Sequence, residues 1–303
     1  MKHKRRSLLG TLREPGILNV RMSALWLSSP MLFLSALGNT LLRRPQTYLG
    51  DHTLLIRTVF GHAMYVDSRD LSLTPHLLLQ GYWEPEVTRF FLRTIKPGMR
   101  IVEVGANVGY YTLLASSLVG PRGRVLAFEA NPATATLARR SLAVNGFRDR
   151  AKVIDMAVTD APGTVTLHCL DQRHGDSSLF DFSDTQLAFP GDRVTKLVVP
   201  ATSLDAFVPQ DEPIDLIRMD VEGAEPLVFD GMRRILAQNS RIKILLEFFP
   251  QRIQCAGRNP ARFLASLAAM GFVIHTIGPR GRLWQLPTDV RAGRLLSELF
   301  LSR

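Results

Sequence analysis

Cysteine is scarce in this chain: of 303 residues only Cys169 and Cys255 are cysteines, far apart and without companions at metal-ligand spacing. A disulfide scaffold and a cysteine-based metal site are both excluded, and two free thiols in a reducing compartment is the plain reading. No internal repeat or low-complexity tract occurs, and the composition has no signature of disorder or collagen. No apolar run has the length and continuity of a spanning helix. The best stretch, Ser23 to Asn39, is short and interrupted by Pro30. Also missing are a complete G-x-G-x-x-G pyrophosphate turn and an N-P-P-Y-type motif of nucleic-acid methylation. What the chain does have is 46% hydrophobic content, enough to bury one large core or two modest ones.

The formal charge of +10 raises a nucleic-acid partner as a hypothesis. Much of the excess, however, sits in the first 45 residues, where "KHKRR" and "LLRRP" flank the apolar stretch. A basic end beside an apolar segment fits an anionic membrane surface at least as well as a phosphate backbone. A buried or partner-facing amphipathic helix is the preferred reading of this stretch, with peripheral membrane contact through residues 1–45 second. A signal peptide is disfavoured because Glu14, Pro15 and Gly16 would fall in its basic region. Without an aromatic-basic binding face, nucleic acid is an unfavoured partner. The expected location is the cytoplasm, with peripheral membrane association as the variant, and the oligomeric state is left open.

Along the chain, "LLIRTVFGHAMYV" from Leu54 to Val66 predicts a hairpin, and "PEVTRFFLRTI" a helix ended by Pro97-Gly98. From residue 100 strands and helices alternate: "RIVEV", "NVGYYTLLASSLV", "RVLAFEA", "PATATLARRSLAVN", "AKVIDMAV". That rhythm predicts a doubly wound α/β fold with a mostly parallel sheet. "TVTLHCL" and "TKLVVPA" predict an antiparallel excursion. "IDLIRMDV", the helix "EPLVFDGMRRILAQ", the strand "RIKILLEFF" and the helix "ARFLASLAAMG" then resume the alternation. "FVIHTIG" and "GRLWQL" are joined too tightly for a crossover, so they form an antiparallel terminal hairpin. The expected division is a basic and apolar extension at 1–50, a hairpin and lid helix at 51–99, and a cofactor-binding domain at 100–303.

The segment "IVEVGANVGYYTLLA", residues 101–115, reads as a strand, a glycine turn and a helix start. Asn107 stands where a pyrophosphate turn needs its second glycine, so NAD and FAD are disfavoured. Glu129 ends the next strand, 24 residues after Gly105, where a carboxylate accepts from both hydroxyls of a ribose. An adenosine without phosphates suggests S-adenosylmethionine. Its carboxylate would meet the helix start near Asn107, and Glu103 would help hold its ammonium.

The motifs "GYWEPEV", "VEVGANVGYYT", "FEANP", "GDSSL", "VPATSLDAF", "DLIRMDVEGAE" and "LLEFFP" follow one another between about Leu77 and Gln285. In that order they resemble the FkbM family of S-adenosylmethionine-dependent methyltransferases. The resemblance implies a Rossmann-like class I methyltransferase sheet of seven strands, order 3-2-1-4-5-7-6, with strand 7 antiparallel. It implies that Glu103, Gly105, Asn107, Gly109 and Thr112 form the cofactor loop and that Glu129 holds the ribose, with Asn131 shaping the adenosine pocket. Asp155 would meet the adenine amino group or else face solvent. Tyr82 and Glu84 would close over the cofactor, although Tyr82 also reads as core. Analogy points to a hydroxyl on a small molecule, sugar, glycan, lipid-linked or secondary-metabolite acceptor.

Asp220 and Glu222 follow the fourth strand and Glu247 lies at the end of the fifth, so three carboxylates converge at the strand carboxyl ends. Their mutual repulsion raises at least one pKa and produces a candidate general base. Glu247 is assigned as base, Asp220 as the principal carboxylate and Glu222 as its orienting partner. The same oxygens would suit Mg²⁺, but no fourth ligand is evident and no metal is expected. His168 and His275 read as core or edge residues, and His174 as a solvated loop residue, with reach to a substrate as the alternative. N-methylation on the same scaffold and a non-catalytic cofactor-binding module are the alternatives.

Overall fold

The computed structural model describes residues 45–182, 191–286 and 297–303. Residues 1–44 of the basic and apolar extension expected at 1–50 lie outside the described residues, as do 183–190 and 287–296. No helix among the described residues is long and apolar enough to cross a membrane.

The chain opens with a small antiparallel sheet of β1 (Thr47–Tyr48), β2 (Thr53–Arg57) and β3 (Ala63–Asp67), the last two being the expected hairpin. Helices α1 (Thr74–Leu79) and α2 (Pro85–Thr94) follow, each with proline in its first turn, where a missing N–H is harmless. The alternating region comprises β4 (Arg100–Val104), α3 (Tyr110–Val119), β5 (Arg124–Phe128), α4 (Pro132–Val144) and β6 (Ala151–Ile154). An excursion then adds β7 (Ala157–Val158), β8 (Gly163–Leu170) and β9 (Val194–Thr202). These three make a separate sheet in the order β7-β9-β8, and β8 and β9 are antiparallel as expected. The chain returns through α5 (Leu204–Phe207), β10 (Leu216–Met219), α6 (Glu225–Asp230), α7 (Arg233–Gln238) and β11 (Lys243–Phe248). It finishes with α8 (Pro250–Cys255), α9 (Pro260–Ala269), β12 (Val273–Gly278), β13 (Arg282–Gln285) and β14 (Ser297–Ser302).

The main sheet runs β13-β12-β14-β11-β10-β4-β5-β6. Its five strands from β11 to β6 are parallel, and β14 is antiparallel to both β11 and β12. Ile101, Leu114 and Phe91 belong to the core on one face, and Val102, Phe229 and Ile244 to the core on the other. Helices therefore cover both sides, as the alternation requires. Residues of the 51–99 segment, including Ile56, Met64 and Phe90, share the first of these cores with α3 and α4.

Three expectations need correction. The antiparallel neighbour of the parallel block is β14, not the hairpin strand β13. β14 carries Leu299 and Leu301 at 0% exposure, whereas all four positions of β13 are exposed. Burial of those leucines favours inserting β14 between β11 and β12 and leaves β13 at the edge. The single third strand read at 151–158 is two, β6 and β7, in different sheets. The single helix read at 225–238 breaks at Gly231, where an added Cβ would lie 2.1 Å from the Thr159 carbonyl oxygen. Only a glycine permits that approach.

Candidate active site

The carboxyl ends of β4 and β10 close on each other through Gly105. Its φ is +83°, and an added Cβ would lie 1.9 Å from the Asp220 carbonyl oxygen. Asn107 also has positive φ, +51°. Its backbone N–H donates to Glu129 Oε2 at 2.6 Å, while its own Oδ1 accepts from the Val108 N–H at 2.8 Å. The Asn131 N–H donates to the other Glu129 oxygen at 2.8 Å. Two backbone donors thus fix Glu129 across the turn. Gly109, at φ +87°, lets α3 begin close to α4, since a Cβ there would lie 2.9 Å from that of Ala138.

A cavity of about 350 Å³ opens above these strand ends, within the range of small-molecule sites. Strand order gives it two unlike sides. Towards β5 and β7 it is apolar, lined by Phe128, Met156, Val158 and Leu167. Towards β10 and β11 it is acidic, lined by Asp220, Glu222 and Glu247, with Glu84 from the start of α2. A diphosphate would meet repulsion here, which agrees with the reading of Asn107.

Two buried guanidiniums organise the acidic side. Arg218, 4% exposed, meets Asp220 Oδ2 at 2.8 Å and Glu103 Oε1 at 3.4 Å, and lies over the Tyr111 ring. Burial opposes its charge, but Asp220 and Glu103 overcome that and hold it protonated. Arg252, 2% exposed, meets Glu222 Oε2 at 2.9 Å and Asp176 Oδ1 at 3.2 Å, between the Phe182 and Phe249 rings. Burial pushes Glu84, Glu103 and Glu225 up to about 7. The charge of Asp220, then burial, raises Glu247 well above the usual carboxylate range. Burial also raises Glu222 and Glu298, against the pull of Arg252 and Arg218 respectively. Glu129 rises through burial, opposed by its two backbone donors.

A roof covers the cavity. The 3-10 turn His174–Asp176 is held by Arg252 at Asp176 and by Asp70, whose Oδ1 accepts from the His174 N–H at 3.3 Å. Ser178 Oγ donates to the Glu222 carbonyl at 2.8 Å. Buried Asp70 also accepts from the N–H groups of Leu73 and Thr74, so the roof and α1 share one anchor.

The structure brings Glu84, Gly105, Asn107, Glu129, Asp220, Glu222 and Glu247 to the cavity. The other sequence-expected residues are elsewhere. Glu103 lies beneath the floor, its carboxylate engaged by Thr112 Oγ1 at 2.6 Å and by Arg218, so neither Glu103 nor Thr112 lines the cavity. Gly109 serves helix packing. Asn131 caps α4, its Oδ1 accepting from the Ala133 N–H at 3.0 Å. Asp155 is exposed and pairs with Arg139 at 3.3 Å, while its neighbour Met156 turns inward. Tyr82 is 3% exposed in the core, and Trp83 beside it reaches the cavity instead.

Sequence reading missed Arg218, Arg252, Asp176 and Glu298. Arg218 had a visible signal: a charge inside an apolar strand, two residues before Asp220 and therefore on the same face. Asp220, Glu222 and Glu247 bring ligand oxygens within 4.8 Å of one another, as do Glu84, Glu247 and Glu298. In the first group Arg218 and Arg252 already take the place of a cation's charge.

A family model described as the methyltransferase FkbM domain matches residues 103–274, more than half of the chain. The 2-O-methyltransferase NoeI of Sinorhizobium fredii is 27% identical over 197 residues, covering 61% of this chain and 77% of that protein. A protein-L-isoaspartate O-methyltransferase of Hyperthermus butylicus is 39% identical over 67 residues, covering 20% of this chain. This chain spans only 28% of that relative's length. Among solved structures, methyltransferase FkbM from Methylobacillus flagellatus gives a TM-score of 0.42 at 15% identity, covering 76% of this chain and 52% of that one.

Proposed function

The chain belongs to the FkbM family of S-adenosylmethionine-dependent methyltransferases, and from that premise we propose that it methylates a hydroxyl oxygen on a small molecule or glycan. The observation that carries the reading is the two-sided cavity, apolar on one flank, acidic on the other, with Glu129 fixed between them. The cofactor fits such a lining. An adenine suits Phe128, Met156 and Val158, a ribose suits Glu129, and a cationic sulfonium suits the side holding Asp220 and Glu247. The order of the seven strands other than β13 supports it too, since numbered along the chain without the small sheets it reads 3-2-1-4-5-7-6. The segment 51–99 supplies a lid over the domain at 100–303, with Trp83 and Glu84 as its cavity-facing residues.

When bound, S-adenosylmethionine supplies an electrophilic methyl group. The protein's part is to align the acceptor oxygen in line with the methyl–sulfur bond and to accept the acceptor's proton. Glu247 takes the proton, because its carboxylate has no guanidinium partner among the described residues. Asp220, held by Arg218, would face the positive charge of the bound cofactor. Glu222, held by Arg252, orients the acceptor beneath the roof turn. An oxygen acceptor is favoured because a hydroxyl needs a base, which the acidic wall provides, and because the relative NoeI is named for 2-O-methylation.

The test is incubation with methyl-labelled S-adenosylmethionine and an extract separated into small-molecule, glycan, lipid and nucleic-acid pools. Label is expected in the small-molecule or glycan pool, and Asp220→Asn is expected to abolish it. Label confined to nucleic acid contradicts the proposal.

A further inference from the structure

Glu247 stands where two carboxylate groups meet. Asp220 and Glu222 lie on one side of it, and Glu84 and Glu298 on the other, each trio with oxygens within 4.8 Å. Glu298 sits directly opposite Glu247 across the antiparallel pair of β11 and β14. The two buried arginines that organise the site are engaged elsewhere, Arg218 with Asp220 and Glu103, Arg252 with Glu222 and Asp176. Arg218 acts on Glu84 and Glu298 through its charge, and its buried Nε has no hydrogen-bond partner. Among the described residues, the other groups acting on the trio are Asp220, Glu222, Glu225, Glu86 and Tyr111, none of which brings a positive charge. Tyr111 donates to Glu84 at 3.0 Å, and Glu247 has its carboxylate beside that of Asp220. Carboxylates this close do not all ionise; they hold protons between them. A positive charge arriving in the cavity is what would release one.

We propose that Glu84, Glu247 and Glu298 form a proton reservoir governed by the charge of the bound cofactor. The trio gives up a proton when a sulfonium binds and takes the acceptor's proton when methyl transfer removes that charge. This rests on the methyltransferase reading above. The balance closes: a bond forms between the acceptor oxygen and the methyl carbon, and the carbon–sulfur bond breaks with its electron pair left on sulfur. The hydroxyl proton passes to Glu247. One positive charge disappears from the cavity as one carboxylate is neutralised, so the wall meets no net change in charge during the step. Glu298 does not line the cavity and acts through Glu247 as a positioning residue. Glu84 plays the same part from the start of α2.

S-adenosylmethionine and S-adenosylhomocysteine differ only in the methyl group and its charge, so they isolate this effect. Titration calorimetry of each, near neutral pH in two buffers of different ionisation enthalpy, counts the protons released on binding. S-adenosylmethionine is expected to release about one proton more than S-adenosylhomocysteine. Glu298→Gln is expected to keep the S-adenosylhomocysteine affinity within about twofold and to lose most of the difference in proton count. Equal counts for the two ligands in the unaltered protein overturn the reservoir, as does a full difference in a folded Glu298→Gln variant. If Glu298→Gln does not fold, the unaltered protein decides alone. Failure of both ligands to bind would instead overturn the methyltransferase reading.

Discussion

Three cavity-lining residues other than glycine, Glu84, Asn107 and Glu222, have positive φ. Such backbone is costly for a side-chain-bearing residue and persists where its surroundings hold it, commonly at functional sites. Glu222 is held by Arg252 and through its carbonyl by Ser178, and Glu84 by Tyr111. Gly105 is tighter still. Gly105→Ala puts a methyl group into the Asp220 carbonyl and is expected to cost roughly 3 kcal/mol or more, read from urea denaturation. A loss under about 1 kcal/mol would show that β4 and β10 can separate without penalty. Glu129→Gln removes a charge-assisted acceptor from the ribose position. Titration calorimetry is expected to show a roughly tenfold to hundredfold loss of S-adenosylhomocysteine affinity. Unchanged affinity would remove Glu129 from the ribose.

At the scale of elements, Arg252 ties α8 to both the floor and the roof of the cavity. Arg252→Met keeps much of the packing against Phe249 and Phe182 but leaves Glu222 without its cation and Asp176 with Arg173 alone. The expected cost is about 3–5 kcal/mol. Faster hydrogen exchange over the His174–Asp176 turn is expected as well, while the turn at Gly105 keeps its protection. Exchange that rises equally in both places would assign Arg252 to general stability. How legible these parts were in sequence follows from how local their causes are. The glycine turn, Glu129 and the carboxylates after β10 and in β11 were readable because strand, turn and helix starts leave marks within a few residues. Arg252, Asp176 and Glu298 were not, because each acquires its meaning from a partner distant in sequence. β14 escaped for the same reason, its place being decided by burial between two strands already formed. Asn131 and Asp155 were ambiguous in sequence, since a capping role or an outward turn looks the same there as a cavity-lining one.

The molecule as a whole carries an excess of buried carboxyl groups. Glu84, Glu103 and Glu225 have folded-state values near 7 against an ordinary 4.5. Groups raised on folding stabilise the folded state fully below their unfolded value, and that contribution is lost as pH rises through the folded value. The cofactor-free protein should therefore melt at progressively lower temperature as pH goes from about 4.5 to about 7. His62, lowered by burial, works in the opposite sense but is one group against several. A melting temperature that climbs steadily across this window would contradict the charge assignment. A bound sulfonium should flatten the decline, because the raised carboxyl groups call for positive charge beyond what Arg218 and Arg252 supply.

That requirement gives the most direct test of the central claim, that the cavity above Gly105 holds a sulfonium cofactor and not a dinucleotide. Titration calorimetry of the full chain with S-adenosylmethionine, S-adenosylhomocysteine and NAD separates the two. Saturable binding of both sulfur compounds at one site per chain, weakened in Glu129→Gln, is expected, with no binding of NAD. Saturable binding of NAD, with neither sulfur compound bound, would contradict it.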